Sequence, residues 1–137
     1  MKFLATALLY FLEIFVVNRP CDLVIRPGYM HRWYIIPRNK YFNIYFHEFV
    51  GSDDPIYHDH PWYSWGFILE GSYVEHTPYG DRFLRNGNTS LRSPYFLHWI
   101  EIKNPVKTIF ITGPVVRKWG FLSDGKWVRF DQHLDQN

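Results

Sequence analysis

Hydrophobic positions change their spacing once along this chain. From Phe3 to Val17 the segment FLATALLYFLEIFVV is apolar almost throughout, interrupted by Glu13. A helical period places Leu4, Leu8, Phe11 and Phe15 on one face. Residues 1–20 therefore read as an apolar N-terminal helix or extension, expected to dock on the rest of the chain or on a second subunit. The run is shorter than the ~20 apolar residues of a membrane span, so no integral span is expected. A peripheral contact with a membrane surface stays open. Lys2 and the apolar centre fit a secretory leader, but Glu13 and the lack of a small-residue cleavage site do not.

After Pro20 the period shortens to two. RWYIIP, YFNIYFHEFV, WGFILEGSYVEHT, LHWIEI, KTIFITG, VVRKWGFL and WVRF are short and rich in Ile, Val, Tyr, Phe and Trp. Between them stand turn signals: PRN, GSDDP, TPYGD, RNGN and SDGK. Such punctuation separates strands, and the NG and DG pairs supply the positive φ angles of tight hairpins. The expected fold class is all-β, an antiparallel sandwich or barrel, with residues 21–137 forming a single domain behind the N-terminal helix.

Composition narrows the function classes. A chain of 137 residues suits one domain with a real core. The net charge is only +2 and the Lys and Arg residues are scattered, so no basic stripe tracks a phosphate backbone and no nucleic-acid partner is expected. The single cysteine, Cys21, forms no internal disulfide and fits a reducing cytoplasm. Nothing near it in sequence marks an activating base. There is no glycine-rich phosphate loop.

The chemistry concentrates in YHDHPWYSW, residues 57–65. On a strand His58 and His60 project to one side, and imidazoles so placed can converge on one ion. A third candidate is His98 in SPYFLHWIEI, where His98, Ile100 and Ile102 share a face and Trp99 and Glu101 take the other. A lone inward histidine is more often a packed one; a His-x-His pair with a third on a well-spaced strand favours a metal.

HDHPWYSWGFILEG followed by GNTSLRSPYFLH resembles the two motifs of the cupin superfamily. Of the first motif the chain has Gly51 one place early, the His58–His60 pair and Gly71 at the closing turn. Of the second it has Gly87 and His98 at the matching separation, with Pro94 one place late, Tyr95 for a glycine and Ile102 for the usual asparagine. The resemblance spans roughly residues 40–112 and implies an antiparallel jelly-roll β-barrel, often a homodimer, with a metal inside. Ser64 stands where the family usually carries a glutamate ligand. The implied metal ligands are therefore His58, His60 and His98 around one divalent transition metal. Iron is the first expectation, with Ni, Zn, Mn or Cu as alternatives.

That ligand set resembles iron cupins that act as dioxygenases, so a three-histidine non-haem dioxygenase on a small polar organic molecule is the leading expectation. The alternatives are a sugar isomerase or epimerase, and a non-enzymatic small-ligand or metal-binding protein. Glu75 and Tyr73 are the candidate catalytic residues, as a fourth ligand or an acid–base pair. His47 is a candidate to orient a ligand from behind, and Arg92 and Arg117 are candidates for a substrate carboxylate. Asp59 should point away from the metal. Trp62, Tyr63, Trp65, Phe67, Tyr95 and Trp99 are the aromatic residues from which a cavity wall could be drawn.

Overall fold

The computed structural model describes residues 1–133; residues 134–137 of the expected domain lie outside the described residues. Helix α1 (Lys2–Phe15) comes first, followed by strands β1 (Leu23–Ile25), β2 (Met30–Tyr34), β3 (Asn43–Phe49), β4 (Ser64–Glu70), β5 (Ser72–Thr77) and β6 (Gly80–Arg85). Then come β7 (Thr89–Arg92), β8 (Trp99–Glu101), β9 (Val106–Thr112), β10 (Gly120–Ser123), β11 (Lys126–Arg129) and the short helix α2 (Phe130–His133). All the strand pairs are antiparallel.

Six strands form one sheet in the order β1-β2-β3-β9-β4-β7, three form a second in the order β6-β5-β8, and β10-β11 is a separate hairpin. The two larger sheets face each other. Met30, Phe49, Ile68 and Val106 from the first meet Tyr73 and Ile100 from the second in one apolar cluster. The turn signals mark real turns: Asp124 and Gly125 both take positive φ (51° and 77°) between β10 and β11, as a DG hairpin requires.

The six-stranded sheet uses both faces, as period-two alternation allows. On β3, Asn43, Tyr45, His47 and Phe49 are buried on one face, while Phe46 packs on the other. Phe46, Leu69 and Ile109 form the outer face and meet Ala5, Leu9 and Leu12 of α1. The N-terminal helix therefore docks on the domain, but on a different face from the one its spacing predicts. Leu4, Phe11 and Phe15 are exposed, while Leu8 is only partly buried at the edge of the cluster. The segment is apolar all round, so hydrophobicity does not choose the face; closeness of approach does. Ala5 has no exposed surface. Gly87, at φ +91°, lies so near the start of α1 that a Cβ there would stand 2.8 Å from the Lys2 nitrogen. Small residues at both places let the helix lie flat on the sheet.

Candidate metal centre

Two segments bring the three histidines together. The stretch around His58 is not a regular strand but a pair of isolated bridges, to His98 and to Phe121. The His58 amide donates to the His98 carbonyl at 3.0 Å, and the His98 amide returns the bond at 3.0 Å. On the other side the Asp59 amide donates to the Gly120 carbonyl at 3.0 Å. Alternation then sends His58 and His60 into the barrel and Asp59 away from it. The buried Asp59 carboxylate accepts from the Gly120 amide at 2.7 Å and Trp127 Nε1 at 2.8 Å, and pairs with Arg117 at 2.8 Å. It locks the β10–β11 hairpin against the His-x-His segment.

The three rings form a nearly equilateral triangle, with centroids 5.1 Å apart for His58–His60 and 5.0 Å for each with His98. One ring nitrogen from each lies within 4.8 Å of the others. Imidazole nitrogens bound to one ion at about 2.1 Å stand roughly 3–3.5 Å apart, so small ring rotations separate this arrangement from a shared ion. The buried Nδ1 of His60 has no hydrogen-bond partner among the described residues, the kind of orphan that a ligand satisfies. Burial, with His98, His58 and Arg92 adding to it, holds the His60 imidazolium well below its ordinary pKa. Burial also lowers His98, against the opposing pull of Glu75, to about 4. Both rings are neutral at pH 7 and keep a lone pair for a cation. The residues present fit a divalent metal.

Strand β5 turns Tyr73, Glu75 and Thr77 inward. Glu75 is completely buried. Its Oε2 accepts from His98 Nδ1 at 2.7 Å and from Arg92 Nε at 2.7 Å, and its Oε1 accepts from Arg82 Nε at 3.1 Å and from Arg82 Nη2. Burial alone would raise this carboxyl; the His98 bond and the Arg92 charge outweigh it and bring the pKa to about 2. A carboxylate behind Nδ1 fixes the proton there and leaves Nε2 to face the cluster. Glu75 thus stands behind His98 rather than among the groups lining the cavity. Tyr73 does line it, its Oη accepting from Arg92 Nη2 at 3.1 Å.

The cavity in front of the histidines has a volume of about 320 Å³. Of the aromatic residues expected around it, Trp62 lines it and Phe67 reaches it from the outer core. Tyr63 and Tyr95 are exposed, Trp65 packs toward α1, and Trp99 stacks on His76 at 3.9 Å outside the cavity. Phe110 and Trp119, which sequence reasoning missed, complete the wall. Neither expected carboxylate-binding arginine is free: Arg92 pairs with Glu75 at 2.6 Å and Arg117 with Asp59. Ser64 is buried on β4 with its Oγ unpartnered among the described residues, and it does not line the cavity. His47 does, and its Nε2 accepts from Arg32 Nε at 2.8 Å. Alternation along MHRWY, which puts Met30, Arg32 and Tyr34 on one face, could have found Arg32 from sequence.

No family model matches the chain, and no curated protein matches it. Solved structures do. It is similar to an RmlC-like cupin from Shewanella frigidimarina, at 14% identity and a TM-score of 0.57 over 69% of this chain and 85% of that one. An uncharacterized conserved protein with a double-stranded β-helix domain from Klebsiella pneumoniae aligns at 13% identity and 0.57, over 72% and 89%. KdgF from Halomonas sp. aligns at 15% identity and 0.56, over 67% and 85%. The chain has the cupin fold, an antiparallel jelly-roll barrel with an N-terminal helix, and it carries within that fold a histidine trio able to hold a metal ion. No described helix is long and apolar enough to cross a membrane.

Proposed function

We propose that this cupin is a metal-dependent enzyme in which His58, His60 and His98 hold one divalent ion, and that it acts on a small organic molecule in the manner of a non-haem iron dioxygenase. The observation that carries this reading is the convergence of three ring nitrogens within 4.8 Å of one another in the cavity wall. A bound divalent iron would supply one-electron chemistry toward dioxygen. Three neutral imidazoles would leave its charge uncompensated, which favours an anionic ligand in the remaining positions.

The chain's own residues do the rest. Glu75 holds the His98 proton at Nδ1 and so keeps the opposite nitrogen as a donor to the ion. Arg92 neutralises Glu75 and donates to Tyr73 Oη, which leaves the phenol proton free to be offered to a substrate atom in the cavity. Phe110, Trp62 and Trp119 keep the walls apolar and exclude water from the reacting end.

Elemental analysis of untagged protein tests the reading. About one transition metal per chain is expected, and His98→Ala should lose most of it while keeping a cooperative melt. Metal content in that variant equal to wild type would remove His98 from the ligand set. Oxygen uptake with a screened substrate then separates a dioxygenase from an isomerase, whose turnover would survive exhaustive chelation.

A further inference from the structure

The charged groups around the cavity are unevenly matched. Arg92 meets Glu75. The carboxylate of Asp53 accepts from the Tyr29 hydroxyl and from the Ile100 amide at 2.8 Å. Arg32 has no such counterpart. It lies on β2 directly opposite His47 of β3, half-buried, and no carboxylate among the described residues pairs with it. Its Nε donates to His47 Nε2 at 2.8 Å, and its guanidinium lies over the Tyr45 ring at 4.1 Å. Tyr45 in turn stacks on His47, with centroids 5.5 Å apart and planes inclined by 11°. The group is held by its Nε edge and by its face, while the two Nη groups have no hydrogen-bond partner among the described residues.

A second guanidinium adds to the charge. Arg38, exposed, lies 5.5 Å from the centre of the same Tyr45 ring and has no ion pair among the described residues. Burying an unmatched cation in a cavity wall is costly unless something compensates it. A planar fork with two free donors matches a carboxylate, which it binds by two parallel N–H···O bonds. From His47, which holds this fork, aromatic rings lead toward the histidines along the same cavity. Phe49 and Phe110 lie 5.8 Å and 5.3 Å from the His47 ring. Phe110 meets Trp62 at 5.5 Å, and Trp62 stacks on His60 at 5.0 Å.

We propose that Arg32, held by His47 and Tyr45, is the binding site for a carboxylate, and that the ligand of this cavity is a small carboxylic acid with an apolar body. The carboxylate sits on the Nη edge of Arg32, and the body runs along Phe49 and Phe110 toward the histidines. The substrate class of the proposed enzyme follows from this, and in that respect the inference rests on the metal reading. The carboxylate site itself does not need the metal.

The test uses the full chain stripped of metal with a chelator, and calorimetric titration with benzoate, hexanoate, their neutral amides and inorganic phosphate. At least one of the two acids should bind saturably, and its amide at least tenfold more weakly. Arg32→Gln should weaken the acid at least tenfold. Arg32→Lys, which keeps the charge but loses the fork, should fall between. Failure of both acids to bind wild type, equal affinity for acid and amide, or tighter binding of phosphate would each overturn the proposal. Unchanged affinity in a folded Arg32→Gln protein would do the same. If Arg32→Gln does not fold, the acid–amide comparison in wild type and the Arg32→Lys value decide the matter. Metal content of Arg32→Gln should equal wild type. Carboxylate binding in a protein that never holds metal would refute the metal-dependent reading and leave this site standing.

Discussion

The same three strands, β3, β4 and β9, build two regions of opposite character. Their outer face, with Phe46, Leu69 and Ile109, meets Ala5, Leu9 and Leu12 of α1 in an apolar cluster, with one ion pair, Lys107–Glu13 at 3.0 Å, beside it. Their inner face carries His47, Ser64, Gly66, Thr108 and Thr112 and looks into a barrel that also holds Glu75, Arg92 and the histidine trio. One residue of offset along a strand separates the two. The outer face can be stabilised by hydrophobic burial, about 25 cal/mol per Å². The inner face must match each buried charge to a partner, or leave it for a ligand.

That contrast is tested most severely at Glu75. Glu75→Gln keeps the shape and removes the charge, leaving the Arg92 guanidinium buried without its counter-ion. Removing one partner of a buried pair costs about 3–5 kcal/mol. Loss of the carboxylate behind a metal-binding histidine weakens metal affinity by about 10–100-fold. Urea unfolding of the metal-free protein and a metal titration of the folded variant measure the two effects separately. A variant that unfolds earlier yet binds metal as wild type does would make Glu75 a structural counter-ion with no part in orienting His98.

Phe46→Ala is the outer counterpart. Phe46 is 1% exposed and meets Trp33 edge-on at 5.5 Å. Its truncation should cost about 3–4 kcal/mol in unfolding free energy and leave metal per folded chain unchanged. A loss of metal in that variant would mean that the two faces are not independent.

How much of this was written in the chain differs between the two regions. The histidine trio was legible because His58, His60 and His98 sit at a spacing that two short motifs share, and because alternation alone aims the first two together. The β10–β11 hairpin was legible in SDGK. The buried face of α1 was not. FLATALLYFLEIFVV offers several apolar stripes, and the choice of Ala5, Leu9 and Leu12 depends on how closely Gly87 lets the helix approach. Arg32 and His47 each show a face by alternation, but their union depends on the register of β2 against β3. The bonds of Glu75 to Arg82, Arg92 and His98 need β6, β7 and the approach to β8 to meet at one carboxylate. Such long-range pairings leave no local trace.

Acid separates the two faces by a smaller but directed effect. In the metal-free protein the folded state holds His98 at about 4, below the 6.5 of an unperturbed imidazole, and shifts His60 in the same direction. Below pH 6.5 the unfolded chain takes up these protons and the folded one does not, so stability falls as pH falls. The loss for His98 develops between pH 6.5 and about 4 and amounts to roughly 3 kcal/mol. Glu75, held at about 2 against an ordinary 4.5, adds a second loss as pH drops below 4.5. The outer core contains no titratable side chain. Phe46→Ala should therefore lower the melting curve by a similar free energy at every pH, whereas His98→Gln should flatten its upper acid limb. Melts between pH 7.5 and 4 read this directly. Saturating metal should hold the histidines unprotonated and move the upper limb to lower pH. If wild type loses no stability between pH 6.5 and 4.5, the histidines are not held in the neutral state that a cation requires.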